Sequence, residues 1–167
     1  MFHIFIALLA AANAMVMRPN DVYVDNSRRP STTIKTCWIN PSEDRIVGGV
    51  SAMQAVKEAV SREYARGQIT FYGWQPCQPG DKTDEVMHIL IDDAAPYASS
   101  FGCHDVSKAW CVRLNFEFKE WPASGNSCPH KDWDRYWACH CTRDDVRKNC
   151  IESYGLHEFG HVLGLGH

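Results

Sequence analysis

Three histidines, at positions 157, 161 and 167, constrain this chain more than any other feature, because they can act together only if the backbone does two things in succession. Residues four apart lie one turn apart on one helix face, so His157 and His161 require a helix through His157-Glu158-Phe159-Gly160-His161. Their imidazoles then suit two neighbouring corners of a tetrahedral metal site. A helix continued beyond Leu163 would carry His167 away from that point. Gly164 tolerates the left-handed conformation that ends a helix, so the spacing predicts that the chain turns back there and brings His167 round as a third ligand. Glu158 lies about 100° round the helix from His157, close enough to reach a water at the metal without ligating it. Three neutral imidazoles leave a fourth position open, which marks a catalytic rather than a structural zinc site.

Such a helix needs a core to pack against, and the rest of the chain can supply one. Its 167 residues are 45% apolar and 22% charged, as in an ordinary globular protein of one domain or most of one. Thr32–Trp38 is a β-branched, strand-like run stopped by Asn40-Pro41. Ser51 and Gln54 form a capping box, with Val50 and Ala55 placed for a hydrophobic staple, so a helix is predicted over 51–66 with Gly67 as its stop. Strands are expected over Gln68–Trp74, Glu85–Asp92 and 111–118. The last has Val112, Leu114, Phe116 and Phe118 alternating with Cys111, Arg113, Asn115 and Glu117. Residues 120–142 read as a disulfide-braced loop, and a final helix should begin between Arg143 and Cys150 and run to Leu163. The order strand–helix–strand–strand–strand–helix predicts an α+β fold: one mixed, twisted sheet with a long helix and a site-bearing helix against it.

The two ends of the expected domain are of a different kind. Phe2 to Ala12 is almost wholly apolar, and Ala12-Asn13-Ala14 has the small-x-small pattern of a signal-peptide cleavage site. Residues 1–14 are therefore expected to be a secretory signal, 15–31 a flexible N-terminus or short propeptide, and 32–167 the domain proper. The apolar run is too short to span a bilayer, so no stable membrane insertion is expected. Eight cysteines, at 37, 77, 103, 111, 128, 139, 141 and 150, all follow the cleavage point and read as disulfides of a secreted chain. Their pairing is open, although Cys139 and Cys141, flanking only His140, suit two different partners. Cys128, His130, Cys139, His140 and Cys141 are all zinc-ligand types, but the paired spacing of a zinc ribbon is absent. A net charge of −3 offers no electrostatic reason for a nucleic-acid partner. Nothing in the sequence sets an oligomeric state.

The run His157-Glu158-Phe159-Gly160-His161-Val162-Leu163-Gly164-Leu165-Gly166-His167 resembles the HExxHxxGxxH pattern of the metzincin zinc metallopeptidases, in a form similar to astacin-like and matrixin-like enzymes. The helix at 51–66, the strand ending in Phe71-Tyr72-Gly73-Trp74, the segment Met87–Ile91 and the strand at 111–118 follow the order of a metzincin N-terminal subdomain. The resemblance covers roughly residues 32–167. It implies a zincin-like fold, one catalytic Zn2+ held by His157, His161 and His167, and Glu158 as general base. It also implies a protein or peptide substrate lying extended along an edge strand. The chain stops on the third histidine. The C-terminal subdomain of such enzymes, with its methionine-containing turn, is therefore expected to belong to a longer parent chain.

Two functional expectations follow: a secreted zinc endopeptidase represented by its front part, or a non-catalytic secreted disulfide-rich scaffold or inactive peptidase relative. Arg45-Ile46-Val47-Gly48-Gly49 resembles the activation site of trypsin-like proteases, but neither a Gly-Asp-Ser-Gly-Gly nor an Ala-Ala-His-Cys segment accompanies it, so it reads as a turn before the first helix. His88 falls in a strand, where a histidine is more often packed or exposed than catalytic, and His104, His130 and His140 lie in loops near cysteines with no role assigned. Asp92 and Asp93 read as a solvated strand end rather than a calcium site.

Overall fold

The computed structural model describes residues 32–99, 109–119 and 140–165. The signal and flexible N-terminus expected over 1–31, most of the loop at 120–142, and His167 lie outside the described residues.

The strands are β1 (Thr33–Trp38), β2 (Ile46–Val47), β3 (Val50–Ser51), β4 (Thr70–Pro76), β5 (Met87–Ile91), β6 (Tyr97–Ala98) and β7 (Val112–Leu114). The helices are α1 (Ala52–Ala65) and α2 (Asp144–Val162). Five strands form one sheet in the order β4-β1-β5-β7-β6. The first four run parallel, and β6 closes one edge antiparallel to β7. The expected α+β architecture, a mixed and mostly parallel sheet with two helices, is the one observed. Ile34, Trp38, Phe71, Ile89, Val112 and Leu114 from the sheet bury against Val56 and Val60 of α1 and Ile151, Phe159 and Val162 of α2.

The capping box forms only by half. Ser51 Oγ accepts from Gln54 N at 3.1 Å, but the Gln54 amide turns outward to Glu58. Asp44 supplies the rest of the cap: its carboxylate accepts from Met53 N at 3.0 Å and from Ser51 Oγ at 2.6 Å. It can do so because Arg45–Ser51 folds into the β2–β3 hairpin. Gly48 (φ +56°) and Gly49 (φ +83°) are both left-handed, as a tight two-residue hairpin turn requires. The trypsin-like pentapeptide is thus a hairpin leading into α1. Val50 pairs with Val47 and is 38% exposed, rather than stapled to the helix. At the far end of α1 the left-handed residue is Gln68 (φ +61°), not Gly67, and β4 accordingly starts two residues later than expected.

The strand expected over 111–118 stops at Leu114. Asn115 ends it: its side-chain oxygen accepts from Glu117 N at 2.9 Å and Phe118 N at 2.6 Å, taking over backbone donors that the ladder would use. Phe116 and Phe118 still enter the core, through a turn with Phe118 at φ +56°. Strand β6 has no counterpart among the expected elements. Two residues are too few to show a period.

Candidate metal centre

The site is set by how α2 is rotated about its own axis. Phe159 is its anchor, edge-on to Phe71 with ring centres 5.0 Å apart and stacked on Trp74 at 5.7 Å and 11°. At about 100° per residue, His157 and His161 each lie about 160° round the helix from Phe159. Burying that ring therefore aims both imidazoles away from the sheet. The clamp depends on an irregularity in β4. Thr36 pairs with Gly73 but Cys37 with Gln75, so Trp74 is an extra residue. Gly73 (φ +95°) and Trp74 (φ +58°) take left-handed conformations there, and the bulge turns Trp74 onto the same face as Phe71. Gly73 must be glycine, since a Cβ would stand 2.5 Å from Thr36 O. Helix α1 approaches closely at Gly155, where a Cβ would be 3.2 Å from Val56, and Tyr64 Oη donates to Leu156 O at 2.6 Å. Burial raises the Tyr64 phenol far above its ordinary pKa, so it stays a donor.

On the outer side of α2 the Nε2 atoms of His157 and His161 converge to 3.0 Å, with the rings edge-on at 87°. His157 is exposed and His161 half-buried. His161 Nδ1 lies 2.7 Å from Leu165 O. A carbonyl can only accept, so Nδ1 carries the proton and Nε2 is an acceptor at the point of convergence. The turn that supplies this carbonyl is the one the spacing predicts. Gly164 has φ +89°, its N–H bonds to His161 O, and Leu165 N–H bonds back to Gly160 O at 3.0 Å. This pair of bonds is a Schellman motif. Gly160 makes room for it, because a Cβ there would lie 3.3 Å from Leu165 Cδ1.

Glu158 is 5% exposed and faces the sheet edge. Burial raises its carboxyl pKa to about 7, opposed by a hydrogen bond from the Ala98 backbone N–H and by the nearby Arg113 charge. Arg113 is itself held in place: Nε donates to Ala95 O at 3.0 Å, and the guanidinium lies over Trp110 at 5.2 Å. Neither Ala98 nor Arg113 carries a sequence signal for a place beside Glu158. Both follow from the pairing of β6 with β7.

Cys37 is bonded to Cys77, and Cys141 to Cys150; Cys111 is disulfide-bonded as well. The Cys141–Cys150 bond ties the turn before α2 to its second turn, and it removes Cys141 from any zinc set with His140. A different group of metal-ligand types comes together elsewhere. Cys37, Cys77 and His88 place one ligand atom each within 4.8 Å of one another. No helix among the described residues is long and apolar enough to cross a membrane. No protein-family model, curated protein or solved structure matches this chain in comparison.

Proposed function

We propose that this chain carries the zinc-binding residues of a secreted, metzincin-like zinc endopeptidase. One observation carries the reading: two imidazole Nε2 atoms 3.0 Å apart on one helix, with Glu158 the residue after the first of them. The donor set fits a zinc ion. Both nitrogens are of the right type, and Leu165 O fixes the His161 tautomer that ligation needs. The turn at Gly164 reverses the chain three residues before His167, which would complete the set. Bound zinc supplies Lewis-acid chemistry, acidifying water and polarising a peptide carbonyl.

The chain's own residues do the remaining work. Glu158 takes a proton from the attacking water and passes it to the departing amine, a task suited to a group titrating near neutrality. Burial at the sheet edge raises its pKa, and the Ala98 N–H offsets part of that rise by favouring the ionised form. Strand β6 is the outer antiparallel strand of the sheet, so an extended peptide laid along it would pass Glu158. The disulfides suit an oxidising compartment, in agreement with the apolar leader expected over 1–14.

The test is zinc content and peptide hydrolysis of the full-length protein beside Glu158→Ala and His161→Ala. Glu158→Ala should keep its zinc and lose about 10²–10⁴-fold in kcat, whereas His161→Ala should lose the metal. Hydrolysis unchanged in Glu158→Ala would refute the roles. Zinc bound with no hydrolysis in the full-length parent would favour the non-catalytic scaffold.

A further inference from the structure

We propose that Cys37, Cys77 and His88 form a second, redox-gated metal site, closed as a disulfide in the oxidised chain and open to zinc when that bond is reduced. The three residues are brought together by the sheet. Cys37 and His88 are directly paired across the parallel β1–β5 ladder, so their side chains stand next to each other on one face. It is the face opposite the helices, because Trp38 and Ile89, one residue further along each strand, are buried in the core under α1 and α2. Cys77 follows β4, and its N–H bonds to Trp38 O at 2.9 Å, which holds its sulfur over the same spot. This site therefore lies on the other side of the sheet from His157 and His161.

His88 supplies the second, independent observation. Its Nε2 is buried and has no hydrogen-bond partner among the described residues. Leaving a buried polar atom unsatisfied is unfavourable, so its orientation needs a reason. The other ring nitrogen gives the orientation: Nδ1 lies 3.3 Å from Ala109 O, and a carbonyl there requires Nδ1–H. Nε2 is then a lone pair, and the ring places one nitrogen within 4.8 Å of both sulfurs. This carbonyl-on-Nδ1 arrangement is how metal-ligating imidazoles are held. Two thiolates and one imidazole are a zinc set that leaves one position for water.

The redox step needs one co-reactant, a dithiol. A dithiol reductant gives two electrons and two protons to the Cys37–Cys77 bond, leaving two thiols here and a disulfide on the reductant. Zinc binding then displaces the two thiol protons to solvent. No part of this rests on the α2 site, so either proposal can fail alone.

The experiment uses the metal-free chain reduced with a non-chelating phosphine and titrated anaerobically with Co2+ alone, in wild type and His88→Ala. Cobalt on imidazoles gives no thiolate-to-metal charge-transfer band, so the α2 histidines are silent in this readout. Wild type should gain one equivalent of such a band only after reduction. His88→Ala, which keeps all eight cysteines, should bind that equivalent about 100-fold more weakly or worse. Should His88→Ala fail to fold, differential alkylation of reduced wild type reads the same site. Zinc should then slow modification of Cys37 and Cys77 together by about tenfold or more. An equal band in both proteins, or alkylation of Cys37 and Cys77 indifferent to zinc, overturns the proposal.

Discussion

Glu158→Gln in the metal-free chain should make the protein more stable at pH 8 while leaving it little changed near pH 4. The carboxyl is buried, and its pKa rises from 4.5 to about 7 on folding. Between those two values the folded chain holds a proton that the unfolded chain has already released. Stability therefore falls as pH rises through that window and levels off above it. The gap amounts to about 3 kcal/mol at roughly 1.4 kcal/mol for each pH unit. Glutamine is neutral throughout, fills nearly the same volume, and can still accept from the Ala98 N–H, so it escapes the loss. Urea unfolding with EDTA present and disulfides intact, at half-unit steps from pH 4 to 8, reads the effect as the variant-minus-wild-type difference. A difference that stays flat across the range, or a wild type that gains on the variant as pH rises, would refute the claim that burial dominates at Glu158.

Three further substitutions probe how α2 is held. Gly73→Ala places a Cβ 2.5 Å from Thr36 O at φ +95°; thermal unfolding should show a loss of about 1–3 kcal/mol, accompanied by a change in Trp74 fluorescence. Phe159→Ala empties the clamp between Phe71 and Trp74 and should cost about 3–5 kcal/mol in denaturant unfolding, with zinc affinity falling as the helix loses its rotational anchor. Gly164→Ala keeps the helix but strains its left-handed end by about 1–2 kcal/mol; competition with a chromophoric chelator should report weaker zinc binding, and unchanged affinity would show that the turn does not position the site.

What could be read from the residues, and what could not, divides along a physical line. Features that depend on local spacing were legible: the helix through His157 and His161, the reversal at Gly164, the Ser51 cap, and the burial of Val112, Leu114, Phe116 and Phe118. Features that need a partner distant in sequence were not. Asp44 replaces Gln54 in the cap because a hairpin brings it there. Trp74 reaches Phe159 only through a bulge whose cause is the pairing of β4 with β1. Asn115 breaks a strand whose side-chain alternation continues unaltered, so the pattern foretold burial correctly and backbone wrongly.

The two histidine sites make the same division sharper. His161 and His88 are held alike, each with Nδ1 against a backbone carbonyl and Nε2 left as a lone pair. At His161 the carbonyl is four residues away, the partner imidazole four residues the other way, and helix geometry alone relates them. At His88 the carbonyl is 21 residues away and the sulfurs belong to β1 and the end of β4, so only the assembled sheet relates them. A strand histidine read alone is more often packed or exposed than functional. What distinguishes His88 is a buried ring nitrogen with no partner among the described residues, a property that exists only after folding. The same device thus leaves a motif on a helix and none on a sheet, because a helix writes its neighbours into sequence spacing whereas a sheet recruits them across it.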